Sequence, residues 1–280
     1  MKDYILLQLM RIMPTHALSR LMGRLAQHPA SKGLIPGFSR VFNIPLEEAE
    51  KVVTEYRSLN DFFTRKLKPE LRPIAASPQA IVSPADGKVA AIGEITEGQL
   101  IQAKGVTYSV WNLLGLLEEE ASTFKGGRFI TIYLSPRDYH RIHSPVEGDI
   151  TSYSYLPGTL FPVNAFGVRA VKGLFAMNER LVTFIQSPAG KVGVVKVGAT
   201  VVGSVKVGYS KEAATNVKAG TILHRQLPTE VHVERGGELG YFEFGSTVVL
   251  VFEQGKIEWL DHLREGMVVK MGEQIGEWKG

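Results

Sequence analysis

The feature that most constrains the fold is a series of short apolar or alternating segments that starts near Ile81 and continues onward. Turn-forming glycines separate these segments, as is typical of short β-strands joined by tight turns. The glycines in question include Gly87, Gly93, Gly98, Gly105, Gly148, Gly158, Gly198, Gly203 and Gly240. The pattern predicts a β-dominated body for most of the 280 residues.

Helical signals are concentrated in the first quarter of the chain. Asn43 before Pro45 and a run of glutamates is typical of a helix start. Ser58-Leu59-Asn60-Asp61 resembles a capping box and leads into two phenylalanines. Residues 109–121 show helical spacing again within the β-rich part. We therefore predict an α+β fold in which N-terminal amphipathic helices precede a barrel-like mixed β domain.

The first 40 residues carry the basic excess of the chain. They hold six basic side chains and one acidic one, a balance of +5, whereas the whole chain has a net charge of +4. Apolar residues recur there at helical spacing, at Ile5, Leu6, Leu9, Ile12 and Met13, and after Pro14 at Leu18, Leu21, Met22 and Leu25. No apolar run approaches the roughly 20 residues that span a bilayer.

A basic amphipathic helix that cannot span a bilayer suits an anionic lipid surface. Docking of the same helix on its own domain or on a second subunit is the alternative. The chain has no cysteine, which excludes disulfides, thiolate nucleophiles and cysteine-based zinc sites. It also shows neither a G-x-G-x-x-G motif after a strand nor a P-loop. We expect no metal and no nucleic-acid partner.

The tetrapeptide Phe244-Gly245-Ser246-Thr247 could carry chemistry, because it runs directly into the apolar segment 248–252. Glycine has no side chain to block attack on its carbonyl, so the Ser246 hydroxyl could attack Gly245 and cut the chain. Alone, this tripeptide core also fits an ordinary strand start.

The segment 133–145, Tyr-Leu-Ser-Pro-Arg-Asp-Tyr-His-Arg-Ile-His-Ser-Pro, is dense in ionisable groups and contains His140 and His143. A metal site is one interpretation, but the prolines favour a loop or strand edge and no glutamate accompanies the pair. Imidazoles bonded to backbone carbonyls are another. Asp86 lies in a Pro-Ala-Asp-Gly turn, where aspartate is commonly only a turn residue. Together Asp86, His143 and Ser246 could act as orienter, base and nucleophile.

Five motifs together make the chain similar to a known family. They are Ser83-Pro-Ala-Asp-Gly, the segment 133–145, Asn178-Glu179-Arg180, Val197-Gly-Ala-Thr-Val-Val-Gly-Ser204 and Phe244-Gly-Ser-Thr247. Over nearly its whole length the chain resembles the bacterial phosphatidylserine decarboxylase proenzymes. Their cleavage motif usually has leucine where this chain has Phe244, a conservative apolar change.

The resemblance implies a self-cleaving mechanism. Asp86 would orient His143, which would take the proton of Ser246 as its hydroxyl attacks the Gly245 carbonyl. β-Elimination and hydrolysis would then leave a pyruvoyl group at position 246. This covalent cofactor would form a Schiff base with phosphatidylserine, release carbon dioxide and give phosphatidylethanolamine. His140 is our candidate for the decarboxylation acid or for a substrate contact.

The resemblance also implies an organisation. Residues 1–57 would form a membrane-association segment and 58–280 the decarboxylase domain, cut into a beta chain, 1–245, and an alpha chain, 246–280. We expect the two chains to remain together as a heterodimer, to form a further homo-oligomer, and to sit peripherally on the cytoplasmic side of the cell membrane. The lack of a signal-peptide pattern agrees with that side.

Three other functions remain open at this point. A Ser-His-Asp lipid hydrolase is disfavoured, because no G-x-S-x-G elbow surrounds Ser246. A pyruvoyl decarboxylase of another amino compound would not need the lipid-facing N-terminus. A non-enzymatic β-barrel adaptor would leave the Gly-Ser-Thr tripeptide inert and the chain uncut.

Overall fold

The computed structural model describes residues 14–103, 106–200, 204–215, 222–243 and 246–279. The helix predicted from Ile5 to Met13 lies outside the described residues, as do Phe244, Gly245 and the side chain of Ser246.

Among the described residues, three α-helices precede the β-rich body and three more lie within it. They are α1 (Thr15–Gln27), α2 (Ile35–Phe42), α3 (Leu59–Phe63), α4 (Val110–Leu114), α5 (Ala165–Ala170) and α6 (Leu174–Met177). Short 3-10 turns occupy Pro29–Leu34, Leu46–Glu48, Val53–Glu55, Pro69–Leu71 and Ser122–Phe124. None of the helices in these ranges has both the length and the apolar content to cross a bilayer.

Sixteen strands make up the body in the described residues. They are β1 (Ala80–Val82), β2 (Gly87–Glu94), β3 (Gln99–Ala103), β4 (Val106–Ser109), β5 (Arg128–Leu134), β6 (Arg141–His143), β7 (Gly148–Leu156), β8 (Arg180–Ser187), β9 (Gly190–Val197), β10 (Val205–Val207), β11 (Leu223–Val233), β12 (Glu238–Phe242), β13 (Ser246–Phe252), β14 (Ile257–Trp259), β15 (Val268–Val269) and β16 (Gln274–Trp278).

The central element is an eight-stranded antiparallel sheet with the strand order β11-β7-β8-β9-β13-β5-β2-β15. Within the described ranges it is an open sheet with β11 and β15 at its edges. Smaller sheets have the orders β1-β16-β14 and β10-β12-β6, and β3 pairs with β4. The fold is thus β-dominated with helices in front, which confirms the predicted α+β class.

Strand β13 lies in the middle of the large sheet, between β5 and β9, and both its faces are buried. Val248, Leu250 and Phe252 belong to one apolar core, which the two three-stranded sheets cover. Val249 and Val251 belong to a second core, covered by α4, α6 and the β3–β4 hairpin. Burial on both faces explains why the run 248–252 is apolar at every position.

Candidate active site

Two connections between strands run side by side at one end of the large sheet. One links β5 to β6 through residues 135–140, and the other links β12 to β13 across the predicted cleavage bond. The backbone N–H of Phe242 donates to the carbonyl of His140 at 3.0 Å, and Ser246 pairs with Leu134. The connection that contains Gly245 is therefore held at both ends against the connection that carries His140.

Asp86 reaches the same end of the sheet, because it directly precedes β2, whose Lys88 pairs with Tyr133 of β5. The strands approach closely here: a Cβ on Gly87 would lie 2.5 Å from the Tyr133 carbonyl oxygen. Glycine is needed at this position because any side chain would collide with the backbone of Tyr133.

The carboxylate of Asp86 accepts hydrogen bonds from two residues. The Nε of Arg72 donates to both Asp86 oxygens at 2.9 and 3.1 Å, and its Nη2 donates to Oδ2 at 2.5 Å. The backbone N–H of Met271 donates to Oδ1 at 2.9 Å. Arg72 also pairs with Glu48 at 2.9 Å, so one buried guanidinium bridges two acids.

His143 lies on β6, and its backbone N–H donates to the carbonyl of Pro84 at 2.8 Å, close to the Asp86 turn. Its Nδ1 lies 2.7 Å from the carbonyl oxygen of Gly236, which can only accept, so Nδ1 carries the proton. Its Nε2 lies 3.2 Å from the Tyr139 hydroxyl and is the acceptor. Burial lowers the pKa of His143, so the ring is neutral with a lone pair on Nε2.

No hydrogen bond joins Asp86 to His143 in the part of the chain that the structure describes. The resemblance implied that Asp86 orients the His143 ring. In the structure the carbonyl of Gly236 accepts the hydrogen bond from Nδ1 of that ring. Tyr139 lines the cavity together with Asp86, and its hydroxyl lies 3.2 Å from Nε2 of His143. The role of Asp86 as orienter stays a prediction.

His140 is fully buried, and its ring packs against that of Phe63 of α3, with centroids 4.0 Å apart and the planes tilted by 43°. Its Nδ1 lies 2.8 Å from the Asp138 carbonyl and so carries the proton. Its Nε2 is buried and has no hydrogen-bond partner among the described residues. Burial, with the nearby charge of Arg65, lowers the pKa of His140 to about 3. The ring is therefore neutral near pH 7, with an available acceptor.

A cavity of about 440 Å³ opens beside Asp86. Tyr133 and Tyr139 contribute rings, and apolar side chains come from Pro45, Leu67, Val268 and Val269. Charged side chains also line the cavity, namely Glu48, Arg65, Arg72, Lys88, Arg137, Asp138 and Lys270. Asp138 accepts from the backbone N–H and the hydroxyl of Ser135, both at 2.7 Å, which shapes the turn after β5. Burial raises the pKa of Asp138.

Arg72 and Tyr139 belong to the site but were not predicted from the sequence. Tyr139 lay within the segment 133–145, and its spacing of four residues from His143 was an available signal. Arg72 stands between Pro69 and Pro73 with no pattern that marks it, so only the fold reveals its bond to Asp86.

One group of side chains outside this site could bring metal ligands together. Atoms of Glu147, His232 and Glu234 lie within 4.8 Å of one another, and all three residues are exposed. Asp149 bonds to Nδ1 of His232 at 2.9 Å and raises the pKa of that imidazole. His232 lies on β11, Glu234 follows that strand, and Glu147 precedes β7.

Comparison with known proteins identifies the family. The family model for phosphatidylserine decarboxylase matches residues 59–277. The chain belongs to the phosphatidylserine decarboxylase family. A phosphatidylserine decarboxylase proenzyme from Brevibacillus brevis is 50% identical over 95% of both chains. Relatives with the same name from Myxococcus xanthus and Acinetobacter baumannii are 45% and 41% identical, over 99% of this chain and 99% and 97% of theirs.

Family membership confirms the resemblance that the five motifs indicated. The relatives are called proenzymes, a term for chains that become active by processing. Members of the phosphatidylserine decarboxylase family are carboxy-lyases. This membership does not favour any of the competing interpretations, namely a lipid hydrolase, a pyruvoyl decarboxylase of another amino compound and a non-enzymatic adaptor.

Proposed function

We propose that this chain is the proenzyme of a phosphatidylserine decarboxylase that cuts itself between Gly245 and Ser246. The observation that carries the proposal is that the connection 243–245 is fixed at both ends. Before it, the backbone N–H of Phe242 donates to the carbonyl of His140, and after it Ser246 pairs with Leu134 of β5. This anchoring supports a site in which two neutral, buried histidines serve the cleavage bond.

In the proposed cleavage the Ser246 oxygen bonds to the carbonyl carbon of Gly245, and the peptide C–N bond breaks. His143 would take the hydroxyl proton at Nε2 and return it to the departing amino nitrogen. Its protonated Nδ1 and acceptor Nε2 are the tautomer that this task needs. Elimination of the resulting ester and hydrolysis, with loss of ammonia, would convert residue 246 to a pyruvoyl group.

The surroundings fit a pyruvoyl group at this position. His140 offers a buried Nε2 that has no hydrogen-bond partner within the described ranges. The pyruvoyl carbonyl supplies an electrophile for the substrate amine and accepts the electron pair left by carbon dioxide. Because His140 is neutral, we propose that its Nε2 first accepts a proton, which it can later deliver to the product carbon.

We further propose that α1 and α2 rest on an anionic lipid surface. Helix α1 packs inward with its small residues Thr15, Ser19, Gly23 and Ala26. Its large apolar residues face outward instead, since Leu25 is 55% exposed. Leu21, Met22, Leu34, Val41 and Phe42 are exposed as well, and basic side chains at positions 20, 24, 32 and 40 accompany them. An apolar outer face with cations suits a charged membrane interface.

An apolar groove of about 510 Å³ opens beside this surface. Its lining includes Met22, Leu25 and Phe38 from the helices and Phe63, whose ring contacts that of His140. The groove could take the acyl chains of a lipid while its headgroup reaches the histidines. A cytoplasmic position and assembly of heterodimers into a larger oligomer belong to the same proposal, and light scattering tests the latter.

Intact-mass spectrometry of the purified protein tests the cleavage. We expect two chains in the wild type, with position 246 lacking a free amine, and one uncut chain in Ser246→Ala. Carbon dioxide release from phosphatidylserine in detergent micelles, compared with release from free serine, tests the substrate. Normal cutting in Ser246→Ala would contradict the proposed cleavage. Equal turnover of free serine would favour the soluble amino compound instead.

A further inference from the structure

Glu243 is a buried acid two residues before the predicted cleavage bond, on the connection between β12 and β13. It is only 5% exposed. Its Oε2 accepts a hydrogen bond from the Ser204 hydroxyl at 2.6 Å, and its backbone N–H donates to the Ser204 carbonyl at 2.8 Å. Its Oε1 lies 3.0 Å from Nζ of Lys206.

Two further donors reach the same carboxylate from the N-terminal helices. The amide of Asn60 on α3 approaches Oε1 at 3.3 Å, and that of Gln27 on α1 approaches it at 3.4 Å. Glu243 therefore holds three separate parts of the fold on one carboxylate: α1, α3 and the region of β10. A buried carboxylate that accepts hydrogen bonds from several donors is held strongly in place. If those bonds were lost, the cost of removing the carboxylate from water would no longer be compensated.

We propose that Glu243 is a positioning residue for self-cleavage, which fixes the upstream side of the Gly245–Ser246 bond. The inference rests on the proposed function. Residue 246 is fixed by its pairing with Leu134 on the downstream side. With Glu243 fixed as well, only residues 244 and 245 lie between two anchors, which limits how far the Gly245 carbonyl can move from the attacking oxygen.

Such restraint matters because reaction within a chain depends on the alignment of the two reacting atoms. A displacement of about 1 Å caused by a distant substitution can cost about 100-fold in rate. The carboxylate contacts of Glu243 in the described residues are to Gln27, Asn60, Ser204 and Lys206, so its proposed effect is exerted through the backbone that it holds. The donors on α1 and α3 also make correct docking of the N-terminal helices a condition for fast cleavage.

The test compares maturation rates after synthesis in a cell-free system, followed on denaturing gels. Glu243→Gln keeps the size of the side chain but removes its charge, and we expect it to mature about 10-fold or more slowly. Lys206→Gln should slow maturation less, because Ser204 and Asn60 remain. The double variant Glu243→Lys with Lys206→Glu restores an ion pair of opposite direction, so it should recover part of the maturation rate that Glu243→Gln loses. Glu258→Gln, which breaks an exposed pair with Lys279, is the matched control.

A readout without cleavage separates positioning from folding. In the Ser246→Ala background, Glu243→Gln should melt within about 2 °C of its parent. A large loss of melting temperature that accounts for slow maturation would overturn the proposal, as would wild-type maturation of Glu243→Gln. If the wild type itself stays uncut, the proposed function is wrong, whereas a cut wild type beside an equally fast Glu243→Gln refutes only the role of Glu243.

Discussion

Asp86 and Arg72 form a buried, bidentate ion pair, with Nε donating to both carboxylate oxygens at 2.9 and 3.1 Å. The two side chains are only 10% and 7% exposed. Burial disfavours the charge on Arg72, but its bonds to Asp86 and Glu48 raise its pKa above the ordinary value. The acid predicted to orient a histidine is thus itself oriented by an arginine.

Removal of Arg72 should leave Asp86 as an uncompensated buried charge. We expect Arg72→Met to lower the unfolding free energy of the uncut Ser246→Ala protein by about 3 kcal/mol or more, since breaking one side of a buried pair is costly. Urea unfolding at pH 7 measures this. Arg137→Met changes an exposed cation of the same cavity and should have little effect. Equal effects of the two substitutions would contradict this account of the pair.

His143 and Tyr139 should differ sharply in maturation. His143→Gln removes the proposed base, so we expect cleavage to slow by about 100-fold or more. Tyr139→Phe removes only the hydroxyl that occupies Nε2 and should still mature. Pulse-labelled protein followed on denaturing gels gives both rates. Normal cleavage in His143→Gln, or a block in Tyr139→Phe alone, would reassign the base.

The rate of maturation should fall as the pH is lowered. Burial lowers the pKa of His143 below its usual 6.5, and a base acts only when it is unprotonated. The cleavage rate should therefore be level near pH 7 and fall in acid, with half its maximal value below pH 6.5. A rate that fell as the pH rose from 6 to 8 would exclude a neutral imidazole as the base.

His140 should make the folded protein sensitive to acid. Its pKa is about 3 in the folded state and about 6.5 in an unfolded chain, so protons bind preferentially to the unfolded state. Its contribution to stability is complete above pH 6.5 and is lost as the pH falls from there toward 3. From pH 7 to pH 5 the loss is about 2 kcal/mol.

The comparison is between Ser246→Ala and the double variant that adds His140→Gln, by urea unfolding at the two pH values. The double variant should lose about 2 kcal/mol less on acidification. His262→Gln, which changes an exposed histidine, serves as the control for the loss of a histidine side chain. An identical pH dependence in the double variant and its parent would mean that His140 is not held neutral.

The outward apolar face of α1 should govern binding to vesicles. We expect Met22→Gln with Leu25→Gln to weaken flotation with vesicles of anionic lipid while self-cleavage continues, because each change removes exposed apolar surface. Binding of the wild type should also fall with salt. Leu117→Gln, on an exposed residue of the β-rich part, is the control. If the fraction of protein that floats with the vesicles is unchanged by both the double substitution and salt, a structural role for α1 is favoured.

Local sequence patterns were enough for several elements, but the helix start predicted at Asn43 is wrong. Asn43 instead caps the C-terminus of α2 in a left-handed conformation with φ of 52°, and only a 3-10 turn follows at Leu46–Glu48. The apolar run 248–252 predicted a buried strand, and β13 is that strand. Ser58 was predicted to cap a helix, and its hydroxyl accepts from the Asp61 N–H at 3.2 Å. The helical spacing in residues 109–121 yielded only the five residues of α4, because Gly115 adopts a left-handed conformation with φ of 69° and ends it.

The sequence by itself determined the strand-rich body, the leading helices and the family, because these depend on patterns of neighbouring residues and on motifs. Tertiary structure alone decided which face of α1 points inward and which groups bind Asp86, His143 and Glu243. Asp86 bonds to the N–H of Met271, 185 positions away, and His143 to the carbonyl of Gly236, 93 positions away. No local pattern encodes such partners, since they meet only when distant strands pair and bury polar groups that must then find donors or acceptors.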